Sequence, residues 1–266
     1  MEKQIIYKNS SINYTDKGEG DAIVFLHGFL ESLKIWNDFS VELSKKFRVI
    51  CIDLPGFGKS DLISETHTME LFAEVVKSVL ENLNIEKCTM FGHSMGGYTA
   101  LAFAEKYSEM LNGISLFHSK TTPDSDKIKE NRLRTIEIVK LNRKGFINQF
   151  ISDLFAPANV EKFHSEIEQL KETGRQTTKE GVIAALKGMK ERTGKLKFII
   201  NTELPIQFIV GKQDSRIPFN DILTQAALPK FSEIIILGNA GHMAYIEEKD
   251  ITLKAVRCFA LKCFDR

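Results

Sequence analysis

A glycine-rich stretch at residues 91–97, Phe-Gly-His-Ser-Met-Gly-Gly, constrains the fold more than any other part of this chain. It follows a short apolar run and precedes a helix-like segment from Tyr98 to Lys106. This setting predicts a sharp strand-to-helix turn with Ser94 at its tip. Glycine at 92 and 96 fits, because side chains two residues from the tip would clash. The stretch predicts a serine nucleophile beside free helix N–H groups, and an incidental serine in a glycine-rich turn is the alternative.

Strand-like and helix-like segments alternate along most of the chain. Continuous apolar runs at residues 21–26, 47–52, 88–91, 114–117, 206–210 and 233–237 are typical of strands buried on both faces of a parallel sheet. Residues 5–14 indicate a hairpin in front of them. The alternation predicts an α/β fold with a mostly parallel sheet.

Between residues 120 and 195 the alternation stops. This range contains charged amphipathic segments at residues 126–141, 146–155, 160–171 and 179–192, with no convincing strand. Because it interrupts a strand–helix pattern, we expect an inserted helical cap at residues 120–195. Residues 1–119 and 196–266 would then form the core domain.

Composition favours a small-molecule task. The chain has 36 Lys and Arg against 35 Asp and Glu, and this balance favours neither nucleic acid nor an anionic membrane as a partner. No stretch approaches the ~20 apolar residues of a membrane span, and no signal-peptide pattern follows Met1. We expect a cytoplasmic protein with its four cysteines as buried free thiols. The oligomeric state is left open.

The stretch from Asp53 to Ser60, Asp-Leu-Pro-Gly-Phe-Gly-Lys-Ser, resembles a nucleotide-binding loop only superficially. A phosphate loop would need glycine at position 53, and a dinucleotide fingerprint would need glycine at position 61. No cofactor is therefore expected. No metal is expected either, because no group of His, Cys and Asp has ligand spacing along the chain.

Ser94, Asp214 and His242 each stand just beyond the C-terminal end of a predicted strand. In an open parallel sheet these ends share one edge, where ligands bind. A serine hydroxyl needs a base to become nucleophilic, so His242 would accept its proton while Asp214 orients the imidazole. Asp124, after the strand at 114–117, is a weaker candidate for the acid because it stands farther from its strand.

The motifs, taken in order, resemble the α/β-hydrolase fold family. They are Leu-His-Gly-Phe at 26–29, residues 53–60 and 92–97, Gly-Lys-Gln-Asp at 211–214 with Pro218, and Gly-His at 241–242. The chain is similar to esterases of biotin synthesis, small-ester hydrolases and carbon–carbon bond hydrolases such as the menaquinone-pathway enzyme. The motifs do not separate these groups.

The resemblance implies an eight-stranded, mostly parallel sheet with helices on both faces and a helical cap. It also implies that the backbone N–H groups of Met95 and Phe29 form an oxyanion hole. The function expected is hydrolysis of a small carboxylic ester or thioester through an acyl-enzyme. The alternatives are a carbon–carbon hydrolase or lyase with the same triad, and a non-catalytic binding module.

We expect a substrate pocket between the cap and the Ser94 turn. Its walls would include Phe29, Met95, His118, Phe146, Phe150 and Phe155, with His27 ordering the oxyanion loop. His118 is equally well explained as a polar strand-end residue bonded to a neighbouring loop. His93 is expected to pack locally, and His67 is expected at the surface.

Overall fold

A computed structural model describes residues 2–265. Its strands are β1 (Glu2–Tyr7), β2 (Ser10–Lys17), β3 (Ala22–Leu26), β4 (Arg48–Ile52), β5 (Cys88–His93), β6 (Leu111–Phe117), β7 (Ile206–Gly211) and β8 (Ser232–Leu237). They form one sheet in the order β1-β2-β4-β3-β5-β6-β7-β8. The β1/β2 and β2/β4 pairs are antiparallel and the other five are parallel. The predicted mostly parallel eight-stranded sheet is confirmed.

Ten α-helices accompany the sheet in the described residues. They are α1 (Asn37–Leu43), α2 (Met69–Asn82), α3 (Met95–Lys106), α4 (Asp126–Ser152), α5 (His164–Gln176), α6 (Lys179–Glu191), α7 (Leu196–Asn201), α8 (Phe219–Ala226), α9 (Ala244–Glu247) and α10 (Lys249–Phe264). Every residue of β3, β5 and β7 is buried, as strands covered on both faces must be. Most of their residues are apolar, which favours this burial.

The segment at residues 120–195 contains α4, α5 and α6, and its role as a cap stays a prediction. Two helices were expected across residues 126–155, and α4 does consist of two helical parts, separated by a kink with non-helical backbone angles at Asn142. The Asn142 side chain accepts a hydrogen bond from the Gly145 N–H at 2.9 Å, which is how an N-cap starts a new helical turn. The Lys195 N–H donates to the Thr121 carbonyl at 2.7 Å, so both ends of the segment meet.

Two expectations about single residues are wrong. Cys51, Cys88 and Cys263 are buried free thiols, but Cys258 is exposed on α10. His67 is buried, because its backbone N–H donates to the Ala184 carbonyl of α6 at 3.0 Å. Within residues 2–265, no helix combines the length and apolar character that crossing a membrane requires.

Candidate active site

Ser94 occupies the turn between β5 and α3 with φ 49° and ψ −110°. A non-glycine residue with positive φ is strained, so the surrounding structure must hold it there. The Ser94 N–H donates to the Phe117 carbonyl at 2.9 Å, and the Ser119 hydroxyl donates to the Ser94 carbonyl at 2.8 Å. Neighbouring β6 and the loop after it therefore fix both peptide groups of the predicted nucleophile.

The two glycines around this turn are needed for steric reasons. A Cβ atom on Gly92 would lie 2.3 Å from the Gly96 carbonyl oxygen. A Cβ atom on Gly96 would lie 2.5 Å from the Leu26 carbonyl oxygen on β3. Both contacts are with backbone that cannot rotate away, so side chains at 92 and 96 are incompatible with this turn.

Asp214 and His242 come together in the loops that follow β7 and β8. His242 Nδ1 lies 2.8 Å from Asp214 Oδ2, and the Asp214 side chain has no exposed surface. Asp214 Oδ1 accepts hydrogen bonds from the Arg216 and Ile217 N–H groups at 2.8 and 3.0 Å. Burial alone would raise the pKa of Asp214, but His242 and His118 together hold it well below its ordinary value. The carboxylate is therefore ionised and oriented by its neighbours.

His118 binds the same carboxylate oxygen. Its Nδ1 lies 2.8 Å from Asp214 Oδ2, and its side chain is completely buried. Burial lowers the pKa of His118 to about 4, so the ring is neutral near pH 7. A neutral ring in this position donates its Nδ1–H to the carboxylate. The expectation that His118 lines the pocket is corrected, because the ring faces Asp214 under the loops.

His118, Asp214 and His242 each offer one possible metal-ligand atom within 4.8 Å of the others, although their chain spacing did not predict it. Both imidazole nitrogens lie 2.8 Å from one carboxylate oxygen. Ligands about 2.0–2.1 Å from a tetrahedral metal would stand roughly 3.3 Å apart. The observed separations are those of hydrogen bonds, so the two histidines bind the Asp214 carboxylate directly.

The two predicted oxyanion donors belong to different elements of the fold. Met95 is the first residue of α3, and Phe29 lies in the loop after β3. Within residues 2–265 neither N–H group donates a hydrogen bond. Free N–H groups at a helix start favour negative charge, so this position suits an oxyanion. His27 lies nearby as expected, with its Nε2 accepting from the Leu54 N–H at 2.9 Å, but it does not line the cavity.

A buried ion pair connects the loops around Ser94. Glu31 Oε2 lies 2.9 Å from His93 Nδ1 and also accepts from the Gly28 N–H at 2.5 Å. Tyr245 donates its hydroxyl to Glu31 Oε1 at 3.0 Å. Burial acts against both charges, but the pKa of His93 is raised and that of Glu31 lowered because each faces the other. His93 Nε2 then donates to the His242 carbonyl at 3.0 Å, so its expected local packing is wrong.

Ser94 and His242 share the wall of a cavity of about 360 Å³. Phe29, Phe146 and Phe150 line it, whereas Met95 contributes no lining atoms. Further residues of α4 and α6 line the same cavity, namely Ile128, Asn131, Arg132, Thr135, Leu186 and Met189. Phe155 lies elsewhere: the chain leaves α4 at Ser152, and the Phe155 ring packs on Phe163 with centroids 6.4 Å apart.

A model of the alpha/beta hydrolase fold family matches residues 21–249 of this chain. The chain belongs to this family. A 2-hydroxy-6-oxononadienedioate/2-hydroxy-6-oxononatrienedioate hydrolase from Pseudomonas sp. is 27% identical over 258 residues, covering 91% of this chain and 89% of that protein. A hydrolase of the same name from Escherichia coli K12 is 27% identical over 264 residues, covering 91% and 88%.

Solved structures of this family superpose over nearly the full chain. A malate-bound thermophilic esterase from Thermogutta terrifontis is 30% identical, with a TM-score of 0.93 and 99% coverage of both chains. An enol-lactonase from Burkholderia xenovorans LB400 is 20% identical, with a TM-score of 0.90 and coverage of 97% and 99%. The latter likeness concerns the fold alone.

Sequence reasoning brought Ser94, Asp214 and His242 to one edge, and the structure places them there. It missed Glu31, whose partners His93 and Tyr245 are 62 and 214 positions away. The available signal was weak: an acidic residue in an otherwise apolar, glycine-containing loop after a buried strand. Such a carboxylate is buried only with partners, which the sequence alone does not identify.

Proposed function

We propose that this protein is a serine hydrolase that cleaves a small carboxylic ester or thioester through an acyl-enzyme. One observation carries the proposal: His242 is held by a buried, ionised Asp214 at 2.8 Å and shares a cavity wall with Ser94. A base oriented in this way, beside a serine in a strained turn, is the arrangement that nucleophilic catalysis requires.

In the proposed mechanism, the Ser94 oxygen attacks the acyl carbon as its proton passes to His242 Nε2. The resulting oxyanion accepts hydrogen bonds from the Phe29 and Met95 N–H groups. His242 then protonates the leaving alcohol or thiol as the tetrahedral intermediate collapses to the acyl-enzyme. Water attacks the acyl carbon in turn and gives a proton to His242. The second collapse breaks the bond to the Ser94 oxygen, which takes that proton from His242 as the carboxylic acid is released. Asp214 stays ionised throughout and stabilises the imidazolium.

The thermophilic esterase that is 30% identical to this chain supports ester hydrolysis. The second candidate, carbon–carbon bond hydrolysis, is supported by the curated relatives. The substrates in their names carry hydroxyl, keto and carboxylate groups but no ester. Hydrolysis of such a molecule must break a carbon–carbon bond. Both candidates use the same serine and histidine, so only substrate comparison separates them.

The test uses 4-nitrophenyl acetate and butyrate, with 2-hydroxy-6-oxononadienedioate as the carbon–carbon substrate. We expect a burst of 4-nitrophenol, fluorophosphonate labelling at Ser94, and a loss of about 10⁴-fold or more in kcat for Ser94→Ala and His242→Ala. A higher kcat/KM for the dioate would favour the second candidate. Labelling at another residue, or unchanged activity in both variants, would refute a Ser94 nucleophile. A binding module would still bind ligand after Ser94→Ala, without a burst.

A further inference from the structure

Lys120 is a buried cation with no counter-ion in contact with it among the described residues. It lies three residues beyond the end of β6, is only 7% exposed, and lines the same cavity as Ser94 and His242. Within residues 2–265 its ammonium group makes no hydrogen bond or ion pair, and burial lowers its pKa. Asp124 and Asp221 attract this charge from a distance, but no carboxylate in the described part of the chain contacts it, so an anionic ligand in the cavity would stabilise it directly.

The nearby carboxylate is already occupied. Asp124 Oδ1 accepts a hydrogen bond from Arg192 at 2.8 Å, and Asp124 Oδ2 accepts one from Arg132 at 2.5 Å. The two guanidinium groups outweigh burial and lower the pKa of Asp124, so this carboxylate is ionised and shared between them. Lys120 therefore stands beside a carboxylate that binds two arginines and makes no hydrogen bond to the Lys120 ammonium group.

The cavity wall carries more positive than negative charge. The lining includes the cations Lys120, Arg132 and Arg216 but only one carboxylate, that of Asp124. Arg216 lies over the Phe150 ring, with its guanidinium carbon 4.5 Å from the centroid. Burying an unpaired charge costs several kcal/mol, so its retention next to a nucleophile points to a ligand that supplies the opposite charge.

We propose that the substrate carries a carboxylate that binds the Lys120 ammonium while its acyl carbon faces Ser94. The substrate class is then the half-ester, or half-thioester, of a small dicarboxylic acid that fits a cavity of about 360 Å³. This inference rests on the function proposed above, because it concerns the same cavity. The carboxylate takes no part in bond breaking; it binds and orients the substrate.

The experiment compares pairs of esters of equal chain length in a pH-stat. The anionic esters are monomethyl succinate, glutarate and adipate, and the neutral ones are methyl butyrate, pentanoate and hexanoate. We expect a higher kcat/KM for the anionic member of at least one pair, and a tenfold or larger fall in that anionic-to-neutral ratio in Lys120→Met. Lys120→Arg should restore part of the ratio. The control Lys230→Met removes an exposed lysine that pairs with Glu203 and should leave the ratio within twofold.

A ratio that is unchanged in Lys120→Met would overturn the proposal. Binding of glutarate, measured by calorimetry without any turnover, separates this result from failure of the proposed function. If glutarate binds the wild type and its affinity is tenfold or more lower for Lys120→Met, the result supports the site even if no ester is hydrolysed. If the neutral esters are hydrolysed but Lys120→Met binds glutarate like the wild type, the site is refuted and the proposed function stands.

Stability distinguishes a ligand-binding lysine from a structural one. Methionine has a similar length and no charge, so removing an uncompensated buried charge should leave the melting temperature unchanged or raise it. A lower melting temperature in both Lys120→Met and Lys120→Gln would show that Lys120 serves the fold, and would overturn the proposal.

Discussion

Replacing Glu31 by glutamine should lower the free energy of unfolding by about 3–5 kcal/mol, the cost of breaking a buried ion pair from one side. The buried carboxylate accepts hydrogen bonds from Gly28, His93 and Tyr245. A glutamine side chain keeps one oxygen and turns the other acceptor into an amide donor, so at least one partner would meet a donor. Each hydrogen bond to a charged group contributes about 1.5–3 kcal/mol, which agrees with that total.

The same substitution should affect activity through position rather than chemistry. Glu31 holds the Gly28 N–H, directly before the Phe29 N–H that we propose as an oxyanion donor. Losing such a donor outright costs about 10²–10³-fold in kcat, so loosening its loop should cost less than that. We expect kcat to fall more than KM rises.

Urea unfolding at pH 7 and ester kinetics measure the two effects. Glu42→Gln is the matched control, because Glu42 is exposed and its ion pair with Lys45 lies at the surface; its effect should stay within about 0.5 kcal/mol. The double variant Glu31→Gln/His93→Gln removes both partners of the ion pair, so its loss of unfolding free energy should be smaller than the sum for the two single variants. A Glu31→Gln protein within about 0.5 kcal/mol of the wild type would refute the reasoning.

Two further predictions concern sterics and pH. Gly92→Ala puts a Cβ 2.3 Å from the Gly96 carbonyl oxygen, so we expect at least about 3 kcal/mol of destabilisation and loss of Ser94 labelling. The control is Gly238→Ala, whose Cβ would meet nothing within 4 Å; its stability should be within about 0.5 kcal/mol of the wild type, and equal melting temperatures for the two variants would contradict the steric account. Burial lowers the pKa of His67 and His118 from 6.5 to about 4, so the unfolded chain binds more protons in that window and stability should fall as the pH drops from 6.5 to 4. In His67→Gln, the decrease in unfolding free energy between pH 6.5 and 4 should be smaller by roughly 3 kcal/mol, as measured by urea midpoints across this range. An unchanged dependence of stability on pH would contradict this prediction.

Features decided by neighbouring residues were predictable. The Ser94 turn follows from a strand, two glycines and a helix in direct succession, and Asp214 and His242 follow from the rule that parallel strands end at one edge. The two halves of α4 were also visible, although Asn142 joins them as a kink.

Features that depend on which distant residues pair with each other were not predictable from the sequence. His93 looked like a local packing residue because Glu31 and the His242 carbonyl, its partners, are far away in sequence. Lys120 looked like any lysine at a loop, because its lack of a partner depends on how Arg132 and Arg192 divide Asp124. Sequence patterns give the type and position of a charge but not which neighbour neutralises it.

The hydrogen bond between Thr121 and Lys195 affects how this protein can evolve. Because the chain departs from the sheet and rejoins it at one backbone hydrogen bond, insertions or deletions between these residues need not disturb the strand register. Most residues that line the cavity belong to this segment, while the proposed reacting groups follow strand ends. Recombination at these two positions could therefore replace most of the cavity lining, and with it the substrate selectivity, without changing the proposed catalytic residues.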